Sequence, residues 1–302
     1  MKVLITGATG LVGKELVSLL LKNGIHINYL TTSKDKLQTE DNYKGFLWNP
    51  EKGEIDPVSI SDADAIIHLA GATISKRWTP AYKEEIVKSR VLSTNLLYAT
   101  LKNNANKVHH FIGASATGIY PDSLDKVYGE ESTKTDSSFL GTVVQKWEAA
   151  EDQIASLGIK VAKIRTGLVL SGEGGVLKEL AGPTKFGLGT AFGSGRQIQS
   201  WIHHSDLTGI YMYVLENELK GVYNAVAPFP VSQEELVKTI ATVLDKPYFM
   251  PNIPEFAMEL VLGEMHTLLF TSQNVSAKKI IAEGYQFKYL SLEKAIKNAL
   301  LN

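Results

Sequence analysis

The stretch KVLITGATGLVGKELVSLLLKNG, from Lys2 to Gly24, leaves the chain few ways to begin a fold. Val3-Leu4-Ile5 is a short unbroken apolar run, the pattern of a strand covered on both faces of its sheet. Gly7, Gly10 and Gly13 follow at G-x-x-G-x-x-G spacing. Leu16, Val17, Leu19, Leu20 and Leu21 then give a mostly apolar helix, closed by Gly24. Each glycine has a physical reason. Gly7 lets the chain turn sharply off the strand, Gly10 lets backbone N–H groups approach a pyrophosphate, and Gly13 lets the helix pack close to the sheet. The helix N-terminus offers partial positive charge to phosphate. Strand, turn and helix in this order point to a dinucleotide cradle, with Gly7, Thr9, Gly10, Leu11, Val12 and Gly13 as its contacts, and to an α/β fold with a doubly wound parallel sheet.

The end of the second strand distinguishes dinucleotides. After His26-Ile27-Asn28-Tyr29-Leu30 come Thr31, Thr32, Ser33 and Lys34, with no acid to hold a ribose 2′-hydroxyl. Thr32, Ser33 and Lys34 suit a 2′-phosphate, so the expected cofactor is NADP, with NAD left open. A third buried-strand run, Asp64 to His68, ends in Leu69, Ala70 and Gly71, small enough for a flat cofactor to lie against the backbone. His68 sits inside that run and is expected to be a satisfied core residue. A long helical stretch, Pro80 to about Asn103, precedes the strand at His109 to Gly113. Beyond that strand, Ser115 and Thr117 offer hydroxyls and Tyr120 a titratable phenol near the expected nicotinamide position, the candidate catalytic set.

At 302 residues with 44% hydrophobic content the chain can bury a large core. Its net charge of −1 carries no basic tract, which argues against nucleic acid or a membrane surface as partner. Cysteine is absent, so disulfides, thiolate nucleophiles and cysteine metal sites are excluded, and no metal is expected. The sequence shows neither a signal-peptide pattern nor a membrane-length apolar run, and a cytoplasmic protein acting on a small molecule is expected.

Together TGATGLVG at Thr6, HLAGA at His68, SATGIY at Ser115 and SWIHHSDL at Ser200 resemble the extended short-chain dehydrogenase/reductases, the nucleotide-sugar epimerase and dehydratase superfamily. Lys76-Arg77-Trp78, Lys88-Ser89-Arg90, Trp147-Glu148, Gly195-Arg196-Gln197 before Trp201, and Gly284-Tyr285-Gln286-Phe287 are similar to an atypical "epimerase family" branch with a small carboxyl-terminal domain of unknown function. The resemblance implies a Rossmann domain over residues 1–227 and a small, mostly helical substrate-side domain over 228–302. It also implies substrate or anion contacts at Arg77, Arg90, Arg196 and Trp201, and a homodimer through the two long helices.

Three departures stand out. Where the superfamily carries a catalytic tyrosine and, four residues later, a lysine, alignment on Glu148 puts Leu140 and Val144. Ala116 takes the usual hydroxyl position, though Ser115 and Thr117 flank it. Gln199 stands where an arginine clamps the substrate diphosphate, and an amide cannot reproduce guanidinium charge pairing. An NADP(H)-dependent oxidoreductase or epimerase-like enzyme of unusual chemistry is expected; the rival is a cofactor-binding sensor or interaction protein without turnover. The glycine-rich segment Gly172 to Gly195 reads as a mobile lid with a short helix near Val176 to Ala181.

Overall fold

The computed structural model describes residues 1–301. β1 (Lys2–Thr6) runs into the glycine turn and α1 (Leu11–Lys22), then β2 (His26–Thr31) and β3 (Tyr43–Asn49). On the other side of β1 lie β4 (Ala65–His68), β5 (His110–Ala116), β6 (Lys160–Thr166) and β7 (Gly221–Ala225). These seven strands are parallel, in the order β7-β6-β5-β4-β1-β2-β3, with short antiparallel strands at Thr39–Glu40 and Glu54–Ile55 beside β3. The chain winds outward in both directions from β1, so the crevice between β1 and β4 is the topological switch point where such sheets bind ligands.

Thr6 fixes that crevice. Its hydroxyl accepts the N–H groups of Leu69 at 3.1 Å and Ala70 at 3.0 Å, and pairs with His68 Nδ1 at 2.7 Å. His68 Nε2 meets Ser93 and Thr94 on the long helix α2 (Pro80–Asn103), each at 3.2 Å. Burial, and then the charge of Arg90, pull the imidazole down to about 3, so it is a neutral hub of the core.

Two further helices start where their caps dictate. Thr79 accepts from Tyr82 N ahead of Pro80 at the first position of α2, and Ser138 accepts from Gly141 N to open α3 (Phe139–Asp152). α3 packs on α2, forming one wall above the sheet.

A second core joins Leu170, Leu177, Leu180 and Trp201 to Leu236, Ile240, Ala295 and Ile296. It gathers α4 (Gly175–Thr184) from before residue 228 with α5 (Gln233–Val243) and α6 (Leu292–Leu301) from after it. This helical layer is therefore built from both sides of the expected boundary. The expected lid is corrected here: Leu177, Leu180 and Ala181 of α4 are buried in this core, and the segment covers no part of the main cavity. Among the described residues no helix is long and apolar enough to cross a membrane.

Candidate functional site

The glycine turn is shaped by contacts that admit no side chain at two of its three positions. Gly7 has φ +72°, and a Cβ there would lie 2.9 Å from the Leu69 carbonyl carbon. A Cβ on Gly13 would lie 2.1 Å from the Gly7 oxygen. Gly10 differs: it is exposed, its φ of −78° is ordinary, and a Cβ there meets only the Gly7 oxygen at 3.2 Å. Gly10 caps α1, which has no side-chain cap and no acid in its first turn. An uncapped, acid-free helix start with open space above its glycine fits an anionic pyrophosphate.

Beside it, Thr32 and Lys34 are exposed and Ser33 half-buried at the end of β2. Lys36 reaches the turn, with its Nζ 3.5 Å from Thr9 Oγ1. Sequence reasoning missed it. A 3-10 turn at Lys34–Lys36 swings it back, held by the Tyr29 hydroxyl donating to Lys36 O at 2.6 Å and accepting from Gln38 N at 2.7 Å.

At the carboxyl ends of the central strands lies a cavity of about 790 Å³. Val12 and Leu69 line its cofactor side; Gly7, Thr9, Gly10, Leu11 and Gly13 lie outside it. Its far wall is α3: Phe139, Leu140, Val143, Val144 and Trp147 all face it. The positions that hold tyrosine and lysine in the superfamily are thus apolar cavity wall. Gln199, from the arginine-clamp position, also lines it. Glu264, His266, Thr267, Leu268 and Thr271 cover one side, tied to α2 by Lys83 Nζ bonding Glu264 Oε2 at 2.6 Å.

The candidate catalytic residues separate. Ser115 and Thr117 both line the cavity. Ser115 Oγ donates to Glu148 Oε1 at 2.6 Å, and Arg165 grips the same carboxylate through Nε at 2.8 Å and Nη2 at 2.9 Å. Burial alone would raise the Glu148 pKa, but the hydrogen bonds and charge of Arg165, helped by Ser115 and Lys163, hold it below the usual range. Glu148 is a buried structural ion pair.

Tyr120, expected as proton donor, does not line the cavity. The 3-10 turn at Thr117–Ile119 drops its ring into the core at 1% exposure, stacked on Tyr128 at 5.4 Å. Its hydroxyl donates to Asn224 Oδ1 at 2.8 Å and accepts from Arg165 Nη1 at 2.9 Å. Burial raises its pKa, outweighing Arg165. The tyrosine that does line the cavity is Tyr211, from the helix His204–Glu216; burial and the neighbouring Glu151 push its pKa up.

Trp201, expected at the substrate, is fully buried in the second core with its indole donating to Phe229 O at 2.9 Å. Arg77 and Arg196 are exposed and lie outside the cavity. The segments carrying these three turn outward or into packing. Arg90 alone of the four lines the cavity, half-buried and with its guanidinium 4.9 Å from the Trp147 ring. Gly71 lies against it: a Cβ there would stand 3.1 Å from Arg90 Cζ.

A switch-point crevice with an uncapped glycine turn, opening beside a strand-end cavity, defines a Rossmann-fold protein of the dinucleotide-binding class. The chain belongs to the NAD dependent epimerase/dehydratase family, whose sequence profile matches residues 3–225, and residues 253–299 match a domain of unknown function, DUF1731. It is 38% identical over 298 residues, 98% of both chains, to the epimerase family protein SAR0825 of Staphylococcus aureus. Among solved structures, human epimerase family protein SDR39U1, crystallised with NADPH, is 29% identical with a TM-score of 0.87 over 100% of both chains. The nucleoside-diphosphate sugar epimerase of Corynebacterium glutamicum is 31% identical with a TM-score of 0.80, covering 99% of this chain and 58% of that one.

Proposed function

We propose that this protein is an NADP(H)-dependent oxidoreductase or epimerase-like enzyme acting on a small molecule held in the cavity between the sheet and α3. The observation that carries this reading is the open Gly10 position at the uncapped start of α1, beside a cavity of about 790 Å³. Gly7, Gly10 and Gly13 would hold the pyrophosphate against the helix N-terminus, and Ser33, Lys34 and Lys36 a 2′-phosphate. The NADPH in the human relative's crystal supports that choice. Bound so, the nicotinamide supplies or takes up hydride.

This chain's own residues must then orient the substrate and manage a proton without the tyrosine–lysine pair. Ser115 has its proton committed to Glu148, so it serves a ligand as acceptor. Thr117 and Tyr211 line the same cavity and are the hydroxyls we assign to donation. Positioned acid–base catalysis is worth roughly 10²–10⁴-fold, so ordinary sugar-nucleotide epimerisation should be negligible. Following the reduced-nicotinamide absorbance of purified protein with metabolite pools tests the reading: cofactor-dependent turnover is expected, and binding without any redox change would refute it. That outcome would favour a second reading, an NADP(H)-binding sensor, for which the apolar Leu140 and Val144 wall speaks.

A further inference from the structure

The charges around the cavity do not cancel. Three acids line it, and each is engaged: Asp122 Oδ1 accepts Ser272 N at 2.6 Å, Asp136 accepts the Ser138 hydroxyl, and Glu264 pairs with Lys83. The cation left over is Arg90. Among the described residues no carboxylate lies within salt-bridge distance of it, and its protein acceptors are two neutral carbonyls, Ala72 O at 3.1 Å and Ile86 O at 3.0 Å, both taken by Nη1. Among the described residues Nε and Nη2 donate to no protein group. The guanidinium plane is held between those carbonyls and the Trp147 ring, so its free edge is preorganised. Burial lowers its pKa to about 10, which leaves it charged at neutral pH. A desolvated, fixed cation without a counter-ion is a site for an anion.

The anion's body is indicated by the apolar wall along α3. Trp78 and Phe139 pack edge-to-face with centroids 5.2 Å apart, and Leu140, Val143 and Leu268 continue the apolar surface. Flat apolar walls of this kind favour a ring. A nucleoside diphosphate would bring at least two negative charges into a cavity with one unpaired cation and three carboxylates. A single carboxylate matches the one free guanidinium, whose fork suits it bidentately. The cofactor's phosphates are an alternative source of the same chemistry. The glycine turn lies outside this cavity, however, while Arg90 lines it with its guanidinium against the Trp147 ring of α3.

Resting on the NADP(H)-enzyme reading above, we propose that the substrate is a small monocarboxylate on an apolar, ring-bearing body, with Arg90 as its anion contact and the Trp78–Phe139–Leu140 surface as its apolar seat. The probes are benzoate, 3-phenylpropanoate and octanoate, each titrated calorimetrically against its own amide into NADPH-loaded wild type and into cofactor-free protein. A ring-bearing acid should bind ~10-fold or more tightly than its amide and better than octanoate, the difference a charge-assisted pair supplies. Arg90→Gln should abolish the acid–amide difference while leaving NADPH affinity within about 2-fold, and Arg90→Lys should restore it only in part. The wild-type comparison needs no variant, so a poorly folding Arg90→Gln does not remove the test. Equal binding of acids and amides, no binding of any acid, or tighter binding of UDP-glucose would overturn the proposal. So would an Arg90→Gln protein that loses NADPH affinity while folded, which would give Arg90 to the cofactor. If wild type discriminates acids from amides yet binds no NADPH, the enzyme reading falls and the carboxylate site stands.

Discussion

Gly10→Val separates binding from folding at the glycine turn. The backbone at Gly10 is extended, with φ −78° and ψ 178°, a conformation any residue can adopt. A Cβ there meets nothing but the Gly7 oxygen at 3.2 Å, so the valine methyls would project into open space over the start of α1. The stability cost is that of exchanging glycine for valine as a helix cap, about 1 kcal/mol. The same methyls would stand where a pyrophosphate must approach. A phosphate that loses two charge-assisted bonds to backbone N–H groups, roughly 1.5–3 kcal/mol each, should bind ~100-fold or more weakly. Gly13→Ala is the contrasting control. Its Cβ would sit 2.1 Å from the Gly7 oxygen and 2.9 Å from the Ala8 backbone, so the helix must move, at roughly 2–4 kcal/mol. NADPH fluorescence titration with thermal melts of both variants reads out the two effects. A Gly10→Val protein that melts like wild type and binds NADPH equally well would refute the reasoning and leave the turn a purely structural device.

Wild type should prefer NADPH to NADH by ~10-fold or more, and Lys34→Ala and Lys36→Ala should each narrow that ratio without abolishing binding; competitive titration of the two cofactors checks it. Tyr120→Phe should leave cofactor affinity unchanged and cost roughly 1–3 kcal/mol in urea unfolding, because Asn224 Oδ1 and Arg165 Nη1 both lose their partner. Glu151 is fully buried with neither oxygen hydrogen-bonded, and burial, then the charge of Glu148, raise its pKa well above the ordinary value. The folded state therefore keeps a proton that the unfolded state loses above pH ~4.3. Its contribution to stability declines by about 1.4 kcal/mol per pH unit until the folded pKa is passed. Denaturation between pH 5 and 8 should show a flatter decline for Glu151→Gln than for wild type, and parallel curves would contradict it.

The parts legible in the sequence are those whose constraints are local. The glycine turn needs only its own spacing and the strand and helix beside it. Leu140 and Val144 could be placed because the family resemblance aligns them, through Glu148 a few residues on, with the superfamily's tyrosine and lysine positions. Tyr120 was misjudged because its direction depends on a 3-10 turn and on Arg165 and Asn224, which are 45 and 104 residues further along the chain. Lys36 was missed because its position depends on how Tyr29 folds the loop back. The lid was assigned on glycine content, although Leu177, Leu180 and Ala181 already carried the i, i+3, i+4 spacing of a packed helix. What covers the cavity instead is the Glu264–Thr271 segment, fixed to α2 across 181 residues of chain by the Lys83 contact, and no local pattern announces that.

The loss of the tyrosine–lysine pair and the dense ion network behind the cavity are two aspects of one arrangement of α3. Its cavity face, Leu140, Val143, Val144 and Trp147, carries no charge, while its sheet face carries Glu148 and Glu151. Those two acids are three residues apart but held differently. Glu148 is held to its charged form because Arg165 meets it with two hydrogen bonds, whereas Glu151, packed against Gly113, has no such partner and burial raises its pKa. Neither can exchange a proton with a ligand directly. Ser115 is where this buried system touches the cavity, and its proton is already directed at Glu148 at 2.6 Å. A ligand group facing Ser115 must therefore donate to it, as a hydroxyl or an amine would. A ligand carbonyl finds donors elsewhere in the lining, Thr117 and Tyr211 among them. The cavity thus sets the Arg90 guanidinium, an acceptor at Ser115 and the Thr117 and Tyr211 hydroxyls beside the apolar face of α3, so a ligand is sorted by which of its groups donate and which accept.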